Sequence, residues 1–191
     1  IEAGEPEEVY ATLALCKEQG AVGMGELCIN RWLEDSLLQA VFDACEKLEL
    51  PVTIHMSPRP GYQYGVCDRP GLPMLEKVLQ EHPHLKILGH SQVFWIEMSK
   101  DAPADEDGRY GRGQGKVTEK GRLWQLFRKY PNLYGDLSAG SGYCAITRDE
   151  ENGLAFLETF QDQLLFGTDT ADRNSQWQAP LSEWLEEKYS R

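Results

Sequence analysis

The chain has 191 residues, of which 41% are hydrophobic and 26% charged, enough apolar material for a sizeable core and too much for a disordered segment. Lys and Arg total 19 against 31 Asp and Glu, a net charge of −12, which disfavours binding to DNA, RNA or an anionic membrane through the bulk surface. No apolar run approaches the roughly 20 residues that span a bilayer, and no signal-peptide pattern opens the chain. The five cysteines, at positions 16, 28, 45, 67 and 144, are odd in number and lack CxxC spacing. That argues against a disulfide framework or a zinc ribbon and suits a reducing, cytoplasmic setting.

In chain order, a crossover helix is expected from Pro6 to Gln19, followed by an apolar run over 21–26 that reads as a strand. Leu37, Leu38, Val41, Phe42 and Cys45 then recur at helical intervals, and Pro51 introduces the next run, Val52–Thr53–Ile54–His55. A helix carrying Met74, Leu75, Val78 and Leu79 is closed by Pro83 before Leu85–Lys86–Ile87–Leu88–Gly89–His90. A polar, glycine-bearing stretch follows, in which Gly111, Gly113 and Gly115 read as a flexible loop. Leu123, Trp124, Phe127 and Tyr130 mark another helix, Pro131 ends it, and Asn132–Leu133–Tyr134–Gly135–Asp136–Leu137 is the next strand. Leu154, Leu157 and Phe160 give the last helical face before a strand over 163–169. Short runs with little polar alternation are strands buried on both faces, and strand–helix alternation means parallel strands with right-handed crossovers.

Two α/β architectures fit. A doubly wound sheet carries a glycine-rich phosphate turn after its first strand, and neither GxGxxG nor GxxxxGK occurs. A (β/α)8 barrel places its chemistry at the C-terminal ends of strands. Here those ends carry Glu26, His55, His90, Asp136 and Asp169, spaced by about 30 to 46 residues, the span of a βα unit with one insertion. The barrel is the expected fold. A closed barrel has eight strands and five are legible, so the expectation is a single domain over 1–191 forming the C-terminal part of the barrel. Its first strands would precede Ile1 or come from a further chain or a second copy.

The strand-end series Gly25–Glu26, Ile54–His55, Gly89–His90 and Phe166–Gly167–Thr168–Asp169 resembles the amidohydrolase superfamily of metal-dependent hydrolases. The resemblance is to its amidohydrolase-related branch, which also contains aminocarboxymuconate semialdehyde decarboxylase. It covers nearly the whole chain as strands four to eight of the family barrel. It departs from the family in one respect: no HxH pair, carried by the family's first strand, lies on a strand here. His82–Pro83–His84 has those letters but falls in a helix-to-strand turn. The resemblance implies that His55 and His90 are metal ligands on strands five and six. It implies that Glu26 stands where relatives place a bridging carbamate or glutamate, and that Asp169 both binds metal and shuttles a proton. A buried acid paired with an arginine is the alternative for Glu26, and a helix N-cap for Asp169.

The chemistry follows from that set. A divalent ion, zinc first, lowers the pKa of its water from 15.7 towards about 7, and Asp169 takes and returns the proton. No GxSxG elbow supports a serine nucleophile. From Arg109 to Lys129 the chain carries Arg109, Arg112, Lys116, Lys120, Arg122, Arg128 and Lys129 against Glu119 alone. This stretch reads as a solvated loop and helix, or as a lid attracting an anionic substrate. Tyr62 and Trp95, together with Ser138, are the candidates for substrate contact. Tyr64 and Tyr143 also follow strand ends, and aromatic loop anchoring is the alternative for the aromatic residues. The expected activity is metal-dependent hydrolysis of a small amide, ester or lactone, with no nucleic-acid or membrane partner. A decarboxylase on the same metal and a non-catalytic interaction module are the alternatives.

Overall fold

A computed structural model describes residues 6–170, 172–174 and 179–190. Helix and strand alternate through α1 (Pro6–Glu18), β1 (Met24–Leu27), α2 (Ser36–Lys47), β2 (Val52–Ser57), β3 (Val66–Cys67), α3 (Pro73–Glu81) and β4 (Ile87–His90). Two short helices follow, α4 (Gln92–Trp95) and α5 (Glu106–Arg109), then α6 (Arg122–Lys129), β5 (Leu133–Asp136), α7 (Ala139–Thr147), α8 (Glu150–Phe160), β6 (Leu164–Leu165) and α9 (Ala179–Tyr189).

All strand pairs are parallel, and the main path of the sheet runs β1-β2-β4-β5-β6, with β3 beside the end of β2. Spatial order repeats chain order without reversal. A doubly wound sheet reverses at a switch point, so this winding is that of a (β/α)8 barrel wall, of which the chain forms an arc. The outer edges of β1 and β6 have no partner strand among the described residues.

Local chemistry explains the elements. Asp35 caps α2 by accepting the Leu37 N–H at 3.0 Å, and Leu37, Leu38, Val41, Phe42 and Cys45 bury one face of that helix. Helix α3 starts with Pro73 in its first turn, where the missing N–H costs nothing. Its first-turn N–H groups from Met74 and Leu75 go to the buried Asp68 carboxylate, outside the helix. The α6 and α8 faces meet in an aromatic cluster, with Phe156 4.8 Å from Phe160 and 5.1 Å from both Trp124 and Phe127 between ring centroids. Gly89 is required in β4, because a Cβ there would fall 2.2 Å from the Phe94 ring.

Three expectations change. The first strand begins at Met24, not at residue 21. The last is only Leu164–Leu165, pairing with Gly135 and Asp136, because among the described residues β6 has a neighbour on one side alone. Asp169 therefore stands four residues beyond the strand, with φ +53°, a left-handed conformation that Asp tolerates better than most residues. Strand β3 was not foreseen: two residues carry no periodicity, and it exists only because Met56 and Ser57 extend β2 past its main neighbour.

Candidate metal centre

Register assembles the centre. His55, two residues before the end of β2, and His90, the last residue of β4, are in-register partners, so their side chains share one face of the sheet. Glu26 on β1 turns to the same point. Its Oε1 lies 2.8 Å from His55 Nδ1 and 3.4 Å from His90 Nε2. One donor atom from each of Glu26, His55 and His90 falls within 4.8 Å of the others. Asp169 Oδ2 approaches His90 Nε2 at 4.0 Å from the open side.

A second layer orients His90. Asp136, ending β5, accepts the Ser138 N–H on Oδ1 and the Ser138 hydroxyl on Oδ2, both at 2.9 Å. With its proton given to Asp136, the Ser138 Oγ accepts from His90 Nδ1–H at 3.0 Å, and Asp136 Oδ2 lies 3.3 Å from the same nitrogen. Both interactions keep the proton on Nδ1 and leave Nε2 as a lone-pair donor towards Glu26, the arrangement by which carboxylates orient metal-binding imidazoles. The charges agree. The hydrogen bond from His55 holds the Glu26 carboxyl below its ordinary value despite partial burial. Burial alone would lower His90, but Asp136, Glu26 and Asp169 together raise it. Burial pushes Asp136 up, yet His90 and Ser138 outweigh this and hold it low. Three carboxylates around two buried imidazoles make a place where added positive charge is favoured.

The donor set fits a divalent ion. Imidazole nitrogen and carboxylate oxygen converge, and His55 Nε2 is buried without a hydrogen-bond partner among the described residues. Two cavities meet at the cluster. A trough of about 480 Å³ runs along the sheet face and is lined by Glu26, Thr53, Leu88, His90, Asp136 and Asp169, among others. A smaller cavity of about 150 Å³ takes in His55, Tyr64, His90, Arg112, Gly140 and Asp169.

The structure brings four of the expected site residues together: Glu26, His55, His90 and Asp169. Glu26 faces two histidines instead of an arginine, and no helix begins between Asp169 and Ala179 among the described residues. Ser138 is also in the site, but its hydroxyl is engaged by His90 and Asp136. Trp95 is buried in the core, its indole N–H donating to the Asp136 carbonyl at 3.0 Å beneath the cluster. Tyr62 bonds Asp107 in the insertion, and it is Tyr64 whose ring stands 4.3 Å from His55. His82 and His84 lie at the opposite ends of the strands, where Glu46 binds the His82 ring and the His84 N–H. The basic insertion is not simply a solvated loop. Arg109 is 2% exposed and donates to the Pro58 and Asp68 carbonyls, Arg122 and Lys129 pair with Glu76, and Arg112 reaches the small cavity. Sequence reasoning assigned no role to Asp136, although its strand-end position was the available signal. Cys16, Cys45, Cys67 and Cys144 are free thiols, and no described helix is long and apolar enough to cross a membrane.

The family model for amidohydrolases matches residues 3–188. No curated protein matches the chain. Among solved structures it is similar to a dihydroxybenzoic acid decarboxylase from Polaromonas sp. JS666, crystallised with manganese and the inhibitor 2-nitroresorcinol, at 16% identity and a TM-score of 0.45. That similarity covers 91% of this chain and 59% of the decarboxylase, so the chain spans less than two thirds of that enzyme's length.

Proposed function

The chain belongs to the amidohydrolase family, and from that membership we propose that it takes part in metal-dependent hydrolysis of a small-molecule amide, ester or lactone. The observation that carries this reading is the convergence of Glu26, His55 and His90 at the ends of three neighbouring strands. These three residues hold the ion, and the Asp169 carboxylate stands beside them. Two imidazoles with carboxylates suit zinc better than the harder magnesium or calcium. A bound divalent ion supplies Lewis acidity at the substrate oxygen and brings the pKa of nearby water from 15.7 towards about 7.

The remaining work falls to side chains of this chain. Asp169 has a half-exposed carboxylate on the open side of the cluster, within reach of water. It takes the proton of the attacking water and returns it to the leaving group. Asp136 and Ser138 keep the His90 ring in one orientation and one tautomer, so the donor geometry is preorganised. The trough of about 480 Å³ receives the body of the substrate next to Glu26 and His90.

The test joins metal analysis to turnover. Purified protein should contain a stoichiometric divalent ion, and chelation should abolish hydrolysis of a panel of esters, amides and lactones until the ion is restored. Protein that takes up no ion, or ion-loaded protein that hydrolyses nothing in the panel, defeats the reading. Release of CO2 from carboxylated substrates without hydrolysis would replace the hydrolase by a lyase on the same donors.

A further inference from the structure

The backbone ladder between β2 and β4 runs as far as His55 and His90 and then changes character. Lower in the ladder, the Val52 N–H donates to the Lys86 carbonyl at 2.9 Å, one residue before its register partner Ile87. Continued past the histidines, that pattern would send the Met56 N–H to the His90 carbonyl and have the Met56 carbonyl accept from the Gln92 N–H. Instead, both Met56 groups meet one side chain. The Met56 N–H donates to the Ser91 Oγ at 2.9 Å, and the Ser91 hydroxyl donates to the Met56 carbonyl at 3.1 Å.

Ser91 holds this arrangement against its own backbone preference. Its φ of +81° and ψ of 173° fall in a region that is essentially glycine's alone. Ser91 also stands at the N-cap of α4, where a serine hydroxyl ordinarily accepts a helix N–H, yet it makes no capping bond. The hydroxyl is diverted from the helix to the neighbouring strand. Ser91 is 1% exposed and Met56 fully buried, so bulk water does not reach the bridged groups. Each partner directly follows a candidate ligand, Met56 after His55 and Ser91 after His90, and those two rings stand 5.4 Å apart between centroids. Beyond the bridge the chains part, β2 running on beside β3 and the other turning into α4, whose Trp95 donates to the Asp136 carbonyl.

We infer that Ser91 is a positioning residue of the metal centre, its hydroxyl forming the last rung between β2 and β4 and so fixing His55 beside His90. The inference rests on the metal-dependent reading above and adds to it how two ligands on separate strands keep one spacing. A backbone rung would require the chain to stay extended through Gln92, where α4 begins. A side-chain rung lets β4 end at His90 and the helix start two residues later. Without the hydroxyl, a buried N–H and a buried carbonyl lose their partners next to both ligands. The strand ends then part, and the imidazoles no longer converge with Glu26.

The experiment compares wild type, Ser91→Gly and Ser91→Ala. Glycine relieves the backbone strain while removing the hydroxyl, so Ser91→Gly should melt at a higher temperature than Ser91→Ala. Both should nevertheless bind Zn2+ about tenfold or more weakly than wild type, and the visible spectrum of Co2+-loaded protein should shift in both. A role in folding alone would make affinity follow the melting temperature, with Ser91→Gly close to wild type in both. In ion-free protein, the NMR ring signals of His55 and His90 should move or broaden in Ser91→Gly, while those of His82 and His84 stay in place. Wild-type Zn2+ affinity in Ser91→Gly, or unmoved His55 and His90 signals, overturns the positioning role. The two readings fail separately. Wild-type protein that takes up no ion removes the metal, and the ion-free ring signals still decide whether Ser91 positions the histidines.

Discussion

Replacing Asp136 by Asn tests the layer behind the candidate ligands, because the change is nearly isosteric and touches none of Glu26, His55 or Asp169. In the native arrangement Asp136 only accepts: Oδ1 from the Ser138 N–H, Oδ2 from the Ser138 hydroxyl, with His90 Nδ1 3.3 Å away. An Asn that keeps its oxygen on the Ser138 N–H must present an NH2 donor where Oδ2 stood. The Ser138 hydroxyl then loses its acceptor and turns to donate to His90 Nδ1, which drives the ring proton to Nε2, the nitrogen facing Glu26. That tautomer cannot ligate. Losses of this kind are about 10- to 100-fold in metal affinity, equivalent to about 1.4 to 2.8 kcal/mol. Ser138→Ala removes one acceptor and leaves the carboxylate beside Nδ1, so its loss should be smaller, about 1 kcal/mol. The assay is competition for Zn2+ or Mn2+ against a chromophoric chelator, with thermal unfolding recorded to establish that both variants fold. Unchanged affinity in a folded Asp136→Asn variant, or a larger loss in Ser138→Ala, would refute the orienting role.

Asp169→Asn should retain most of the bound ion but lose activity by about 10²-fold or more, whereas His55→Ala should lose ion and activity together; near-normal turnover in the Asn variant would exclude Asp169 as the proton carrier. Asp68 is fully buried, and burial pushes its carboxyl from 3.8 up to about 6 against the three N–H groups that bind it. Since the folded state then holds that proton more tightly than the unfolded chain, this group's contribution makes stability fall by about 3 kcal/mol as pH rises from about 4 to about 6. Asp68→Asn should remove that slope, and a pH-independent difference between wild type and variant in urea unfolding would contradict it. Phe156→Ala, at the centre of the aromatic cluster, should cost about 3 to 5 kcal/mol of stability without altering ion affinity in the folded protein, and a parallel loss of ion would show that α8 also positions the centre.

Much of this protein is written locally. Apolar runs ending in Glu26, His55, His90 and Asp136, and prolines at 51, 83 and 131, punctuate the chain before β2, β4 and β5, because strand burial and the proline ring act on immediate neighbours. The strand-end residues were therefore legible as a group, and so was their order around the sheet. What the chain order could not supply is register and what register brings together. His55 stands beside His90 because β2 and β4 pair at those positions, and a slip of one residue would turn one ring to the other face. The Asp136–Ser138–His90 relay, the inward turn of Trp95 and the burial of Arg109 under Pro58 and Asp68 each join residues about 40 or more positions apart, with no shared local pattern. Asp169 shows the division within one residue. Its approach to the cluster was legible from the Gly167–Thr168–Asp169 run, but the structure reaches it by a loop beyond β6 instead of a strand, because backbone pairing needs a neighbour and among the described residues β6 pairs with β5 alone.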